Sequence, residues 1–236
     1  MEQKLTGIVL SGISYGESDK ILSIYTLEQG TISAKIKGVK KAGAKLKFAS
    51  EPFCFAEFIF SSKGEKRTVI GASLIDSFYP IREDIIRYFA GGSALEFVKH
   101  FSKENIVNKE LFMLVINYLK ELTYKKSEPI KELVKFLLDG LRYTGYALNL
   151  KGCIMCGKDI EKRTYFDYNN GGFYCDQCFN GFGREINHKT LRDLIKLERG
   201  EEVEEKPIKP LRLIEYYLSN KTEENIVSLK ELLKIV

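Results

Sequence analysis

The spacing of apolar and polar residues divides the chain into a β-rich first third and a helical remainder. In the third of the predicted strands, Ile32, Ala34 and Ile36 alternate with polar residues, which predicts one buried and one solvated face. Five segments with turn signals at short spacing lie within the first eighty residues: Leu5–Ile13, Ile21–Thr26, Thr31–Val39, Pro52–Ser61 and Lys66–Ser77. This arrangement is typical of a small β-barrel.

After Pro80 the apolar residues recur at intervals of three and four, as in amphipathic helices. Two stripes are especially regular, one from Val107 to Leu122 and one from Leu133 to Leu141. The pair Gly91-Gly92 predicts a break or kink in the first helix, unless close packing against another backbone requires glycine there. Three short helical segments follow near the end of the chain, so the predicted fold class is α+β.

Four of the five cysteines form two Cys-x-x-Cys pairs, Cys153/Cys156 and Cys175/Cys178, with eighteen residues between the pairs. This spacing is typical of a four-thiolate zinc site, in which the metal joins two tight turns into one tetrahedral cage. Between the pairs, aromatic residues on either side of Asn169–Gly172 predict a hairpin. Two disulfides or idle thiols remain the alternatives.

The chain lacks the sequence signatures of several enzyme classes. A zinc ion held by four cysteines has no open position for water or substrate, so its role is predicted to be structural. Neither His100 nor His188 lies in a His-x-Glu or His-Glu-x-x-His motif. Cys54 lies in an apolar run and is predicted to be a small buried hydrophobic residue. We therefore predict that the protein is not an enzyme; a site assembled from scattered residues is the alternative.

The distribution of charge is more informative than the net charge of +5. No acidic residue occurs from Gln29 to Ser50, but six lysines do: Lys35, Lys37, Lys40, Lys41, Lys45 and Lys47. Lysines on a glycine-containing loop of a small barrel are suited to binding a phosphate backbone, although such runs are often merely solvated. No arginine precedes residue 60, which favours contacts independent of base sequence. Candidates for base stacking are Tyr15, Tyr25, Phe48 and Phe53.

Several motifs resemble the RecO family of bacterial recombination mediators, and the order of segments matches over essentially the whole chain. The matching motifs are Thr6–Leu10, Tyr15–Leu22, Gly30–Ala34, Lys37–Lys41, Leu141–Tyr146, Cys153–Gly157 and Gly172–Cys178. The middle helices match in pattern only.

The resemblance implies a particular division of the chain. An oligonucleotide-binding (OB) barrel is expected over residues 1–79, and the first part of a helical domain over 80–150. A four-cysteine module with structural Zn²⁺ is expected over 151–183. The C-terminal helices over 184–236 would complete the helical domain.

The resemblance also implies a function and partners. Family members bind single- and double-stranded DNA, anneal complementary strands and, with RecR, help RecA replace single-stranded DNA-binding protein. The acidic tail of the latter protein binds the helical domain in some members; the candidates for its cation here are Lys99, Lys103, Arg142 and Arg163. The alternative is another nucleic-acid-binding protein with a barrel and a zinc ribbon, acting on RNA or in transcription.

The sequence predicts a cytoplasmic protein, and the resemblance implies that it is associated with the bacterial nucleoid. The first residues lack the charged and apolar blocks of a signal peptide. No apolar run approaches the length of a membrane span.

Overall fold

The computed structural model describes residues 2–64, 66–222 and 224–236. Within these ranges, the strands are β1 (Glu2–Tyr15), β2 (Asp19–Thr26), β3 (Gly30–Ile36), β4 (Phe55–Lys63), β5 (Lys66–Asp76), β6 (Thr164–Asp167), β7 (Gly172–Cys175) and β8 (Arg184–Ile186). The helices are α1 (Ile85–Phe101), α2 (Lys109–Tyr124), α3 (Pro129–Tyr143), α4 (His188–Glu198), α5 (Ile208–Lys221) and α6 (Val227–Ile235). The chain forms two compact units, Met1–Asp84 with Leu95–Thr123 and Ile85–Ala94 with Tyr124–Val236.

The first unit contains a closed barrel with the strand order β1-β2-β3-β5-β4. Neighbouring strands are antiparallel except β3 and β5, which run parallel and pair only at Lys35–Thr68 and Ile36–Val69. The interior is filled by alternate residues of every strand, among them Val9, Leu22 and Phe58. This is the architecture of an OB barrel, so the predicted fold is confirmed.

The outer face of β2 and β3 is covered at one end by the segment that joins α1 to α2. The Asn105 N–H donates to the carbonyl of Thr31 (3.2 Å), and the hydroxyls of Thr31 and Ser102 share a hydrogen bond. Gly30, with φ +69°, lies so close to the carbonyl of Ile106 that a Cβ atom would overlap it. The segment therefore forms a fixed wall on the barrel surface.

The first helix runs without interruption through Gly91-Gly92, so the expected break is absent. A Cβ atom at Gly92 would lie 2.8 Å from Oγ of Ser228, close to the first turn of α6. Close packing between the two helices accounts for this glycine, because a larger residue would push them apart.

The second unit combines helices with a small antiparallel sheet. Helix α5 lies against α3, α4 and α6, and the sheet has the order β7-β6-β8. The predicted hairpin is confirmed, since Tyr165 pairs with Tyr174 and Phe166 with Phe173. Strand β8 was not predicted, because three residues are too few to show an alternating pattern. In the described part of the chain, no helix has both the length and the apolar character required to span a membrane.

Candidate metal centre and nucleic-acid interface

The four paired cysteines come together at one end of the small sheet. Their sulfur atoms all lie within 4.8 Å of one another, and the Sγ atoms of Cys156 and Cys175 are 3.9 Å apart. A tetrahedral site with metal–sulfur bonds of about 2.3 Å requires sulfur–sulfur separations of about 3.8 Å. A disulfide requires about 2.05 Å, and these cysteines are free thiols. The cluster thus has the geometry of a metal site.

Backbone hydrogen bonds around the cluster fix the position of the first cysteine turn and change the pKa of its buried thiol. Ile154 N–H donates to the carbonyl of Phe173 (2.9 Å), which fixes the first cysteine turn on the sheet. Burial raises the pKa of the Cys153 thiol, but N–H groups of Cys175, Cys156 and Met155 donate to its sulfur and lower the pKa to about 6. A thiolate is the form that binds metal, so these N–H groups favour the binding-competent state of Cys153. Hydrogen bonds with Cys156 and Cys175 act in the opposite direction on Cys178 and raise the pKa of its thiol to about 12.

Cys54 is separate from this cluster. It is buried inside the barrel, and burial raises the pKa of its thiol to about 12. The side chain is therefore neutral near pH 7 and serves as a small core residue, as the sequence predicted.

The lysine loop, residues 37–47, is a succession of turns on the barrel. Its lysines are exposed: Lys37, Lys40, Lys41, Lys45 and Lys47. Val39 is buried in the barrel core and Leu46 packs against the same core. The lysine side chains are thus presented to solvent from a backbone held by two apolar anchors.

Lys35 differs from the loop lysines because it is half-buried and has partners. Its Nζ atom lies 2.8 Å from Oδ2 of Asp19 and 4.5 Å from the centre of the Tyr15 ring. The other oxygen of Asp19 accepts from the Gly38 N–H at 2.8 Å. The hydrogen bond from Lys35 and that from Gly38 together lower the pKa of Asp19 to about 2. Sequence reasoning missed this role, because acids are common in turns.

Only two of the four candidate stacking residues are accessible. Tyr15 is 52% exposed and Phe48 is 37% exposed. The other two expectations are wrong: Tyr25 and Phe53 are 0% and 2% exposed. Tyr25 packs against Phe112, and its hydroxyl donates to the carbonyl of Asn108 at 2.9 Å. Both buried rings therefore hold the fold together rather than offering a surface for bases.

The second unit contains a cavity of about 270 Å³ beside β8. Its apolar lining consists of Phe166, Ile186, Leu213 and Tyr216. The charged residues of the lining are the cations Arg184, Lys209 and Arg212 and the acid Glu185. None of these cations was predicted, because they are separated in sequence and are brought together by β8 and α5.

The cations that were predicted lie elsewhere. Lys99 and Lys103 belong to the unit that contains the barrel. Arg142 forms an ion pair with Asp139, and Arg163 lines a polar cavity beside the cysteine turns.

Comparison with known families identifies the chain. The model of the N-terminal domain of recombination protein O matches residues 1–78, and that of its C-terminal domain matches residues 82–230. The chain belongs to the RecO family. The DNA repair protein RecO of Acetivibrio thermocellus is 28% identical to it over 213 residues, covering 85% of both chains. That of Anaeromyxobacter dehalogenans strain 2CP-C is 32% identical over 202 residues, covering 84% of this chain and 79% of the relative.

Membership of the RecO family assigns the protein to DNA repair and recombination. It also agrees with the barrel and with the order of the two matched domains along the chain.

For this RecO-family protein we predict an acid-sensitive contribution of Asp19 to barrel stability. The pKa of Asp19 is about 2 in the fold and 3.8 in the unfolded reference. Its ionised form therefore stabilises the fold above pH 4, and this contribution disappears as the pH falls from about 4 to about 2. Melting temperatures of wild type and Asp19→Asn should differ at pH 6 and converge at pH 2. A pH-independent difference, or the same behaviour in the control Glu17→Gln, would contradict the assignment.

Proposed function

We propose that this protein is a DNA-binding recombination mediator. It would bind single- and double-stranded DNA, anneal complementary strands and, with RecR, help load RecA onto DNA covered by single-stranded DNA-binding protein. The observation that carries the proposal is the exposed lysine loop on an OB barrel. Such a protein acts by binding and requires no catalytic residue, and its place is with the chromosome in the cytoplasm.

The chemistry of the lysine loop favours binding without sequence preference. Ammonium groups that approach phosphates release condensed counterions, and this contribution is the same for every base sequence. The exposed rings of Tyr15 and Phe48 add stacking surfaces, which also accept any base. Weak sequence preference suits a protein that must let two complementary strands find their register.

The proposed phosphate contacts can be counted by salt titration. In Lys40→Gln/Lys41→Gln/Lys45→Gln, the plot of log affinity for a single-stranded oligonucleotide against log salt should lose roughly 0.7 in slope per contact removed, and so about 2 in all. Fluorescence anisotropy over a salt series measures this directly.

The matched control carries the same charge change elsewhere. Lys120, Lys125 and Lys126 are exposed near the end of α2, and their replacement by Gln should leave the slope within error of wild type. Equal slopes for wild type and the loop variant would place the DNA site on another surface. Preference for RNA of the same sequence, with no strand annealing, would instead favour the RNA-binding alternative.

We propose that the cysteine cluster holds a structural Zn²⁺ ion. The four sulfurs are Cys153, Cys156, Cys175 and Cys178, and a four-thiolate set suits zinc best among the common biological cations. The ion would join the turns before β6 and after β7. Structural zinc contributes on the order of 10 kcal/mol to the folding of small modules, so this part of the chain would depend on it.

Metal analysis of purified variants tests the zinc proposal. Wild type and Cys54→Ala should each contain one zinc per chain, and Cys175→Ser/Cys178→Ser should contain none and melt at lower temperature. The Cys54 variant controls for the general loss of a thiol. The proposal fails if zinc-free protein melts as wild type does, or if zinc content depends on Cys54.

We propose further that the cavity beside β8 binds the acidic, apolar tail of single-stranded DNA-binding protein. The apolar floor of Phe166 and Leu213 would receive the apolar side chain, and Arg184 and Lys209 would face the carboxylates. This complementarity of both polarity and charge is the support for the assignment.

Peptide binding measures this partner directly. A labelled peptide with the tail sequence and a free carboxyl terminus should bind Arg184→Glu/Lys209→Glu about tenfold more weakly than wild type, which corresponds to ~1.4 kcal/mol. The control is Lys158→Glu/Arg163→Glu, which changes charge at the polar cavity. The assignment is wrong if Arg184→Glu/Lys209→Glu binds the peptide as tightly as wild type does, or if only Lys158→Glu/Arg163→Glu binds it more weakly.

A further inference from the structure

The uncovered part of the outer barrel face is organised in rows across β1, β2 and β3. One row contains Ser11, Ser23 and Ser33, which are directly opposite one another in neighbouring strands. The next row contains Ile13, Ile21 and Lys35, and the third pairs Tyr15 with Asp19. Rows are two residues apart along each strand, or about 6.7 Å. The face thus changes from hydroxyl to apolar to aromatic and charged over a short distance.

A groove of about 220 Å³ lies at the serine end of this face. Its floor is formed by the serine row with Ile13 and Ile21, and its lining also includes Lys99 of α1 and Glu104 of the segment that covers the barrel. The wall is fixed because Asn105 bonds to Thr31 and Glu104 bridges to the same residue. The groove therefore exists where the covering segment stops and the open face begins.

We propose that this groove receives one unpaired nucleobase of a DNA strand whose phosphates lie on the lysine loop; the inference rests on the proposed DNA binding. The isoleucines offer an apolar floor for the face of a base. Hydroxyl groups both donate and accept hydrogen bonds, an ammonium donates and a carboxylate accepts. Any of the four bases would find partners for its polar edge in this groove.

Continuity of the surface favours a nucleotide as the occupant. The apolar row that begins in the groove ends at Lys35, and Lys35 contacts Tyr15 at the start of the turn that holds the lysine loop. A strand that follows the loop would pass Tyr15 and reach the groove after a few nucleotides. The same path carries cations for phosphates and surfaces for bases, which is the combination that single-strand binding requires.

The groove would distinguish single from double strands. A base within a duplex is stacked on both faces and paired along one edge, so it enters a pocket only after unstacking and unpairing. A base in a single strand can rotate out freely. The lysine loop would bind both forms of DNA, and the groove would add affinity only for the single strand.

The test uses a variant that fills the groove. Ser33→Leu should bind a labelled oligothymidylate about tenfold more weakly, because the larger side chain would occupy the space that the base needs in the groove. Binding of a hairpin duplex and of an abasic oligonucleotide of equal length should not change. The control is Ser73→Leu, an exposed serine of β5 that does not line the groove.

The remaining outcomes separate the inference from the proposed function. The groove proposal is wrong if Ser33→Leu binds oligothymidylate as wild type does, or if it loses equal affinity for oligothymidylate, the hairpin duplex and the abasic oligonucleotide. In either case, weaker DNA binding by the lysine-loop variant would still support the mediator proposal. Failure of wild type to bind any DNA overturns both. If Ser33→Leu lowers the melting temperature, Lys99→Gln is used in its place. This variant should also lose affinity for oligothymidylate alone, and Lys120→Gln is its control.

Discussion

The barrel closes through a single short parallel contact, in which β3 pairs with β5 at only two positions. Among the residues that the structure describes, no strand pairs with the rest of that edge of β3. An unpaired strand edge exposes backbone groups that must be satisfied, and the segment after α1 meets part of this need by bonding to Thr31. Gly30 is required at this point because the carbonyl of Ile106 occupies the space of a side chain. The closure of the barrel, the segment that covers its surface and the groove beside that segment therefore all follow from the short pairing between β3 and β5.

The two units depend on different kinds of stabilisation. The barrel has a continuous apolar interior, from Leu5 on β1 to Val69 on β5. The sheet of the second unit has strands of three or four residues and carries the four cysteines at one end. Short strands bury little apolar surface. An ion held by the four cysteines would accordingly contribute a larger fraction of the stabilisation there than it could in the barrel.

The features that sequence could predict are those carried by local patterns. Alternation of apolar residues located the barrel strands, and the cysteine spacing anticipated one four-sulfur cluster, because both depend on neighbours along the chain. The role of Asp19 depends on Gly38 and Lys35, and the cavity cations Arg184 and Lys209 come from separate elements. Such groupings follow from tertiary packing, and a short stretch of sequence does not show which distant residues the fold brings together. Tyr25 was misjudged for the same reason, since its burial is caused by α2.

The two apolar anchors of the lysine loop have an energetic consequence. Because Val39 and Leu46 fix the backbone during folding, the conformational entropy of those residues is lost before any ligand arrives. Association then has to restrict mainly lysine side chains, and a preorganised loop retains more of its electrostatic attraction as net affinity. The backbone of the loop is anchored by these two residues, and the lysine side chains are exposed to solvent. For the DNA binding proposed above, this arrangement would allow a strand to exchange its phosphate contacts one at a time, and so to move along the protein without dissociating.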